Sequence, residues 1–273
     1  MNFEAILNKV FVINLEKDID RYNHSILELS KLNIGNYSII KGVNYDDDSV
    51  KKLYRKNLVK GFDTCFRCDD INYKLKICTH ENNILTPPQV ANFLSFKKVM
   101  EQSTSQKKLY MVLEDDFYLT KNYIKAFKNI KNFCIKNDLL EISQPVLIRL
   151  GSHTIAEKRF EFKFKILNKS SFIKNRYNMA NPAFLYNSKF AKLFLDQFSK
   201  IETTSDNFIH KYLCINYNVL NFSVLPFPIS QYTHRSKIKK FTSNIDKDGD
   251  NIFFINKAKN QKEYEQILNN WKN

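Results

Sequence analysis

The apolar run Leu109-Tyr110-Met111-Val112-Leu113 empties directly into three consecutive acids, Glu114-Asp115-Asp116. A run of this kind reads as a buried strand, and acids at its end cannot be packed with it; they must meet water, a cation or a basic partner. Side chains alternate along a strand, so Glu114 and Asp116 point one way at its mouth and Asp115 the other. Two carboxylates side by side repel each other unless a divalent ion lies between them, and oxygen donors suit Mg²⁺ or Mn²⁺. A solvated acidic turn capping the next helix is the competing reading.

The rest of the chain says what kind of body carries that strand. With 273 residues, 43% apolar and 26% charged, it is long enough to bury a large core in the manner of a soluble globular protein. No apolar stretch approaches the ~20 residues of a membrane span. The start, Met1-Asn2-Phe3-Glu4, has no basic n-region, and the expected location is cytoplasmic. The net charge of +15 favours anionic ligands. Because the lysines are scattered rather than massed in one arm, nucleic acid is not the first reading. The five glycines form neither G-x-G-x-x-G nor G-x-x-x-x-G-K-[ST], which argues against dinucleotide and P-loop folds.

Lys9–Leu15 reads as a first buried strand, followed by a helix that buries Ile19, Tyr22, Ile26 and Leu29. Tyr37–Val43 reads as a strand, Asp46-Asp47-Asp48 as a polar connection and Lys51–Leu85 as an irregular insert. Thr86-Pro87-Pro88-Gln89 is a helix start: Thr86 can cap, Pro87 fits the first turn, and Gln89 completes a capping box. Val90, Phe93, Leu94 and Met100 then supply that helix with an apolar face. Further along come a helix over Tyr123–Leu140, a strand over Val146–Leu150, and a half-buried ribbon at Phe160, Phe162 and Phe164. A short strand at Ala183–Tyr186 precedes a helix carrying Phe190, Leu193, Phe194 and Phe198. Ser205 or Asp206 opens a helix through Leu213, Val219–Leu225 is a strand, and Tyr264, Ile267, Leu268 and Trp271 mark a last amphipathic helix. Strands alternating with helices imply an α/β fold with a mainly parallel central sheet flanked by helices. The expected organisation is a main domain over 1–240 with an insert at 51–85, then a polar tail over 241–273.

Within the insert, Cys65-x-x-Cys68 and Cys78-Thr79-His80 bring three thiols and one imidazole into the pattern of a structural Zn²⁺ site. A closed shell of Cys65, Cys68, Cys78 and His80 would leave no open position for substrate. Ordinary reduced cysteines are the alternative, since Cys134 and Cys214 already stand alone.

Five blocks, in order, resemble glycosyltransferase family 25, the family of lipopolysaccharide and collagen galactosyltransferase-type enzymes. They are Phe11-Val12-Ile13-Asn14-Leu15 with Asp20-Arg21; Gln89–Met100 with Val112-Leu113-Glu114-Asp115-Asp116; Asn181–Tyr186 with Ala191-Lys192-Leu193; Ser205-Asp206-Asn207-Phe208; and Pro228-Ile229-Ser230-Gln231. One departure stands out: the family often carries Ser-His in the central helix, where Ser95 is here followed by Phe96.

The resemblance implies a GT-A-like fold and transfer of a hexose from a nucleotide sugar, UDP-galactose or UDP-glucose, with inversion at the anomeric carbon. The acceptor would be a glycan or a hydroxylated side chain. Glu114 and Asp116 would hold Mn²⁺ or Mg²⁺, and Asp115 would serve the ribose or the sugar. Asn14, Arg21 and Gln231 would contact the nucleotide, and Asp206 would take the acceptor's proton. Arg235, Lys237, Lys239 and Lys240 could close over the diphosphate or form a solvated basic tail. Two other readings are a nucleic-acid-binding zinc protein, which leaves the acids unexplained, and a non-catalytic glycan-binding member of the fold, raised by Phe96.

Overall fold

Apolar periodicity converts into alternating strands and helices. The computed structural model describes residues 3–59, 85–105, 107–151, 171–175, 182–232 and 261–272. A 3₁₀ turn (Phe3–Ile6) leads into β1 (Leu7–Asn14), α1 (Ile19–Leu32) and β2 (Tyr37–Lys41). Next come α2 (Asp48–Arg55), α3 (Pro87–Glu101), β3 (Leu109–Glu114), β4 (Phe117–Leu119), α4 (Tyr123–Lys136) and β5 (Val146–Arg149). The chain continues with β6 (Ser171–Lys174), β7 (Ala183–Tyr186) and α5 (Ser188–Gln197). A helical segment over 205–216, here α6, precedes β8 (Leu220–Leu225), β9 (Ile229–Gln231) and α7 (Gln261–Lys272).

Seven strands form one sheet in the order β2-β1-β3-β7-β5-β8-β6, and β4 pairs with β9 in a separate ribbon. β1 runs parallel to β2 and β3, and β5 runs parallel to β8. β7 is antiparallel to both β3 and β5, and β6 to β8. Five strands (β2, β1, β3, β5, β8) therefore share one direction, and the expected mainly parallel sheet is present with an antiparallel strand in its middle. β1, β3, β5 and β7 are almost wholly buried, as strands covered on both faces must be. Val10, Val12, Met111, Leu113, Ile148 and Leu185 belong to one apolar core.

Local signals place several boundaries. At the start of α3 the Thr86 backbone N–H donates to Gln89 Oε1 at 3.0 Å, half of the expected capping box. α1 ends at Asn33, whose φ of 51° is the left-handed turn that asparagine tolerates best after glycine. Gly151, just past β5, has no room for a side chain: a Cβ there would lie 2.9 Å from the Ile229 carbonyl oxygen. That close approach lets Ile229 N–H donate to Leu150 O at 3.1 Å.

Three expectations are corrected. α1 does not bury Ile19 and Tyr22, which are 66% and 42% exposed; it buries His24, Ser25, Glu28 and Leu29. The surface it covers is a backbone turn, which demands polar partners rather than apolar ones. α2 begins inside the Asp46–Asp48 stretch and runs into the segment read as irregular, because Val50 and Tyr54, four residues apart, give it a buried face. α6 is not a regular helix ending at Leu213: an α turn (Ser205–Asn207) passes into a π turn (Phe208–Tyr212) and an α turn (Leu213–Asn216).

The chain divides into two compact units. The larger, Met1–Gly42, Ser95–Gln197 and Asp206–Phe241, contains every strand of the sheet and the ribbon. The smaller comprises Val43–Leu94, Phe198–Ser205 and Thr242–Asn273. In it the Tyr54 hydroxyl donates to Leu85 O at 2.5 Å, and the Tyr54 and Trp271 rings meet edge to face at 5.4 Å.

Candidate active site

Three parallel strands end together on one edge of the sheet in the larger unit. Ile13 stands opposite Glu114 and Asn14 opposite Lys41, so the carboxyl ends of β1, β2 and β3 are level. In open α/β sheets this is the edge where ligands bind. Asn14 and Glu114 reach it because each closes an apolar strand that the core holds in register.

β3 ends at Glu114, and Asp115 and Asp116 lie in the turn that follows it. Asp115 turns toward α1, where Arg21 Nη1 donates to its Oδ1 at 2.6 Å and Asn14 Nδ2 to its Oδ2 at 2.9 Å. Both side chains of the ion pair are nearly buried. Burial raises the Asp115 carboxyl above its ordinary range, and Arg21 and Asn14 hold the rise in check. The Arg21 guanidinium is raised in turn: burial opposes its charge, and Asp115 and Asp116 outweigh that cost.

Glu114 and Asp116 both meet the segment at β9. Gln231 Nε2 donates to Glu114 Oε2 at 3.1 Å, and Tyr232 N–H donates to the Asp116 carbonyl at 2.9 Å. Asp116 is 2% exposed, and its Oδ1 is buried with no hydrogen-bond partner. Burial pushes the Asp116 carboxyl up to about 7, with Arg21 opposing and the neighbouring Asp115 adding to the rise. Glu114 is pushed well above the usual carboxylate range, first by burial and then by Asp116 and Asp206. The fold thus brings both Asp116 and Asp206 close enough to act on Glu114, although Asp206 lies 90 residues beyond Asp116 in the chain. Asp206 sits in the first turn of α6, one residue past its start.

An orphaned, buried carboxylate oxygen beside a second raised carboxyl fits a divalent cation, whose charge would offset both desolvation and repulsion. Among the described residues no three or more His, Cys, Asp or Glu close a cage around a metal position.

An open cleft of about 220 Å³ is lined by Asn14, Glu16, Ile19, Tyr22, Ile39 and Lys41. Asn14 also holds Asp115 through its amide. The cleft also accounts for the exposed Ile19 and Tyr22, which form part of its wall. Glu16 and Lys41 pair at its rim.

Phe96, at the position where a histidine was expected, is a core residue stacked on Phe184 at 6.0 Å. Phe184 in turn meets His210 edge-on at 5.0 Å. His210 lies in the π turn, fully buried, with neither ring nitrogen hydrogen-bonded, and burial holds it well below its ordinary pKa. Sequence reading did not find this π turn, a form of helix often met at functional sites. It also missed His24, Ser25 and Glu28, whose signal was a polar face at helical spacing on α1. The candidate zinc ligands Cys65, Cys68, Cys78 and His80, the ribbon at Phe160–Phe164 and the basic residues Arg235, Lys237, Lys239 and Lys240 lie outside the described residues. Cys134 and Cys214 are free and buried. Among the described residues no helix is long and apolar enough to cross a membrane.

Comparison with known proteins adds three findings. The family model "Glycosyltransferase family 25 (LPS biosynthesis protein)" matches residues 7–209. No curated protein matches the sequence. A solved structure, the inositol-1-phosphate CTP transferase from T. maritima, is similar over 98% of this chain and 97% of that one, at 10% identity and a TM-score of 0.38. A likeness that low carries no weight for function.

Proposed function

From the premise that this chain belongs to glycosyltransferase family 25 and is a glycosyltransferase, we propose that it is a metal-dependent, inverting hexosyltransferase with a GT-A-like fold. Its donor is UDP-galactose or UDP-glucose, and its acceptor is a hydroxyl of a glycan or a hydroxylated side chain. The observation that carries the reading is the buried Asp116, its Oδ1 unpartnered, beside the half-buried Glu114 at the carboxyl edge of β3.

The cleft beside Asn14 takes the nucleotide, with Tyr22 and Ile19 offering apolar surface to its base. Glu114 and Asp116 hold Mn²⁺ or Mg²⁺, which supplies charge neutralisation to the departing diphosphate. Gln231 orients Glu114 through its amide. Arg21 and Asn14 fix Asp115, whose backbone joins the two ligand residues. The Asp206 carboxylate accepts the acceptor hydroxyl's proton as that oxygen bonds to the anomeric carbon and the sugar–diphosphate bond breaks. Inversion follows from a single displacement.

A UDP-sugar panel assayed with and without Mn²⁺ tests this. We expect thermal stabilisation by UDP-galactose or UDP-glucose only with metal, and turnover that EDTA abolishes. Turnover undiminished by EDTA would eliminate the metal role. From spacing alone we also propose one structural zinc on Cys65, Cys68, Cys78 and His80; gently purified protein without zinc would eliminate that site.

A further inference from the structure

Two repelling carboxylates make a metal site only if something holds them together while the ion is absent. The segment that carries them cannot do this alone. Beyond Asp116 it enters a two-stranded ribbon of three residues a side, a unit too small to be stable by itself. β9 grips it from one side through Gln231 and Tyr232. On the other side lies the polar face of α1.

That face reaches alternate residues of the segment. Ser25 Oγ donates to Asp115 O at 3.0 Å, His24 Nε2 donates to Phe117 O at 2.7 Å, and Leu119 N–H donates to Glu28 Oε2 at 2.9 Å. All three bonds go to main-chain atoms of residues 115, 117 and 119. The three side chains are at most 5% exposed, so none is poised at the surface for a ligand of its own. Lys31 pairs with Glu28 at the outer edge, satisfying the carboxylate's second oxygen. A helix that buries His, Ser and Glu gives up apolar burial, and what it obtains here is a fixed backbone under the acids.

We propose that His24, Ser25 and Glu28 are positioning residues for sugar transfer: α1 sets the backbone of 115–119 so that the Glu114 and Asp116 carboxylates converge on one divalent cation. This rests on the reading that those two acids hold the metal. The three residues touch neither the cation nor the donor; they act through the peptide groups between the acids and the ribbon. Partners of this kind around metal ligands typically control affinity about 10–100-fold when removed.

The test is a Mn²⁺ titration of UDP-sugar turnover for Ser25→Ala, Glu28→Ala, Glu28→Gln and Asp116→Asn, with thermal midpoints measured in parallel. Ser25→Ala and Glu28→Ala should raise the half-saturating Mn²⁺ concentration about tenfold or more, with kcat largely recovered at saturating metal. Glu28→Gln keeps an acceptor for Leu119 N–H and should stay within about threefold of wild type. A purely structural role would lower the melting point and the active fraction without moving half-saturation. Should Glu28→Ala fail to fold, Ser25→Ala, which removes one hydroxyl, decides alone. Unchanged half-saturation in a folded Ser25→Ala or Glu28→Ala, with Asp116→Asn strongly shifted, overturns the positioning role. Unchanged half-saturation in Asp116→Asn overturns the metal assignment, and positioning falls with it.

Discussion

Asn14 donates its side-chain amide to Asp115 Oδ2 at 2.9 Å, joining the end of the first strand to the middle of the acid triplet across 101 residues of sequence. Through this bond Asp115 is tied to a residue that lines the cleft. Asp115 is held by Arg21 and Asn14, while Asp116 Oδ1 has no hydrogen-bond partner.

Asp116→Asn should therefore separate function from stability. Metal-dependent UDP-sugar affinity should fall at least tenfold, since this removes a ligand rather than an outer partner. The metal-free variant should melt about 2–6 °C above wild type at about pH 8, because a buried negative charge is gone. Calorimetry with Mn²⁺ and a thermal melt in chelator read the two effects; wild-type affinity in the first would remove Asp116 from the metal.

The pH dependence of the metal-free protein follows from the same group. The Asp116 carboxyl rises from 3.8 to about 7 on folding, so between those values the folded chain keeps a proton that the unfolded chain has released. Stability contributed by this group is accordingly present below the lower value, declines as pH rises toward about 7, and is level above it. The difference in unfolding free energy between wild type and Asp116→Asn, followed by urea titration from about pH 4 to 8, should show this decline. Saturating Mn²⁺ should reverse it, because cation and proton compete for one site. A difference that is flat with pH contradicts the buried, proton-bound carboxyl.

Arg21→Met leaves Asp115 buried beside Asn14 alone. Loss of one partner from an ion pair this enclosed should cost about 3 kcal/mol, measured as a lower urea midpoint at neutral pH. Arg21→Lys should recover part of it. If Arg21→Met unfolds at the wild-type midpoint, Arg21 is not what sustains the Asp115 charge.

Asp206→Asn tests the proton acceptor. Loss of a general base should lower kcat by about 10²–10⁴ while Mn²⁺-dependent donor binding persists. Unimpaired kcat assigns the proton to another group; lost donor binding makes Asp206 a third metal ligand.

Much of this was legible in the chain itself. The strand-to-acid junction at Leu113-Glu114 and the capped start of α3 follow from local rules of apolarity and capping. Those rules act over a few residues, so a few residues suffice to read them. The face of α1 was misread for the opposite reason: Ile19 and Tyr22 have helical spacing, but the face that is buried is set by the segment 115–119, about 90 residues away, which meets His24, Ser25 and Glu28.

Apolar patterning along residues 109–113 was enough to require a buried strand that delivers carboxylates to a sheet edge. Tertiary structure alone decided which carboxylates are available. It did so by bringing Arg21 and Asn14 to Asp115 and by bringing Gln231 and Asp206 to Glu114, while leaving Asp116 Oδ1 without a donor. The physical reason is that a buried charge is governed by the groups within a few ångströms of it, and only the folded chain fixes those distances.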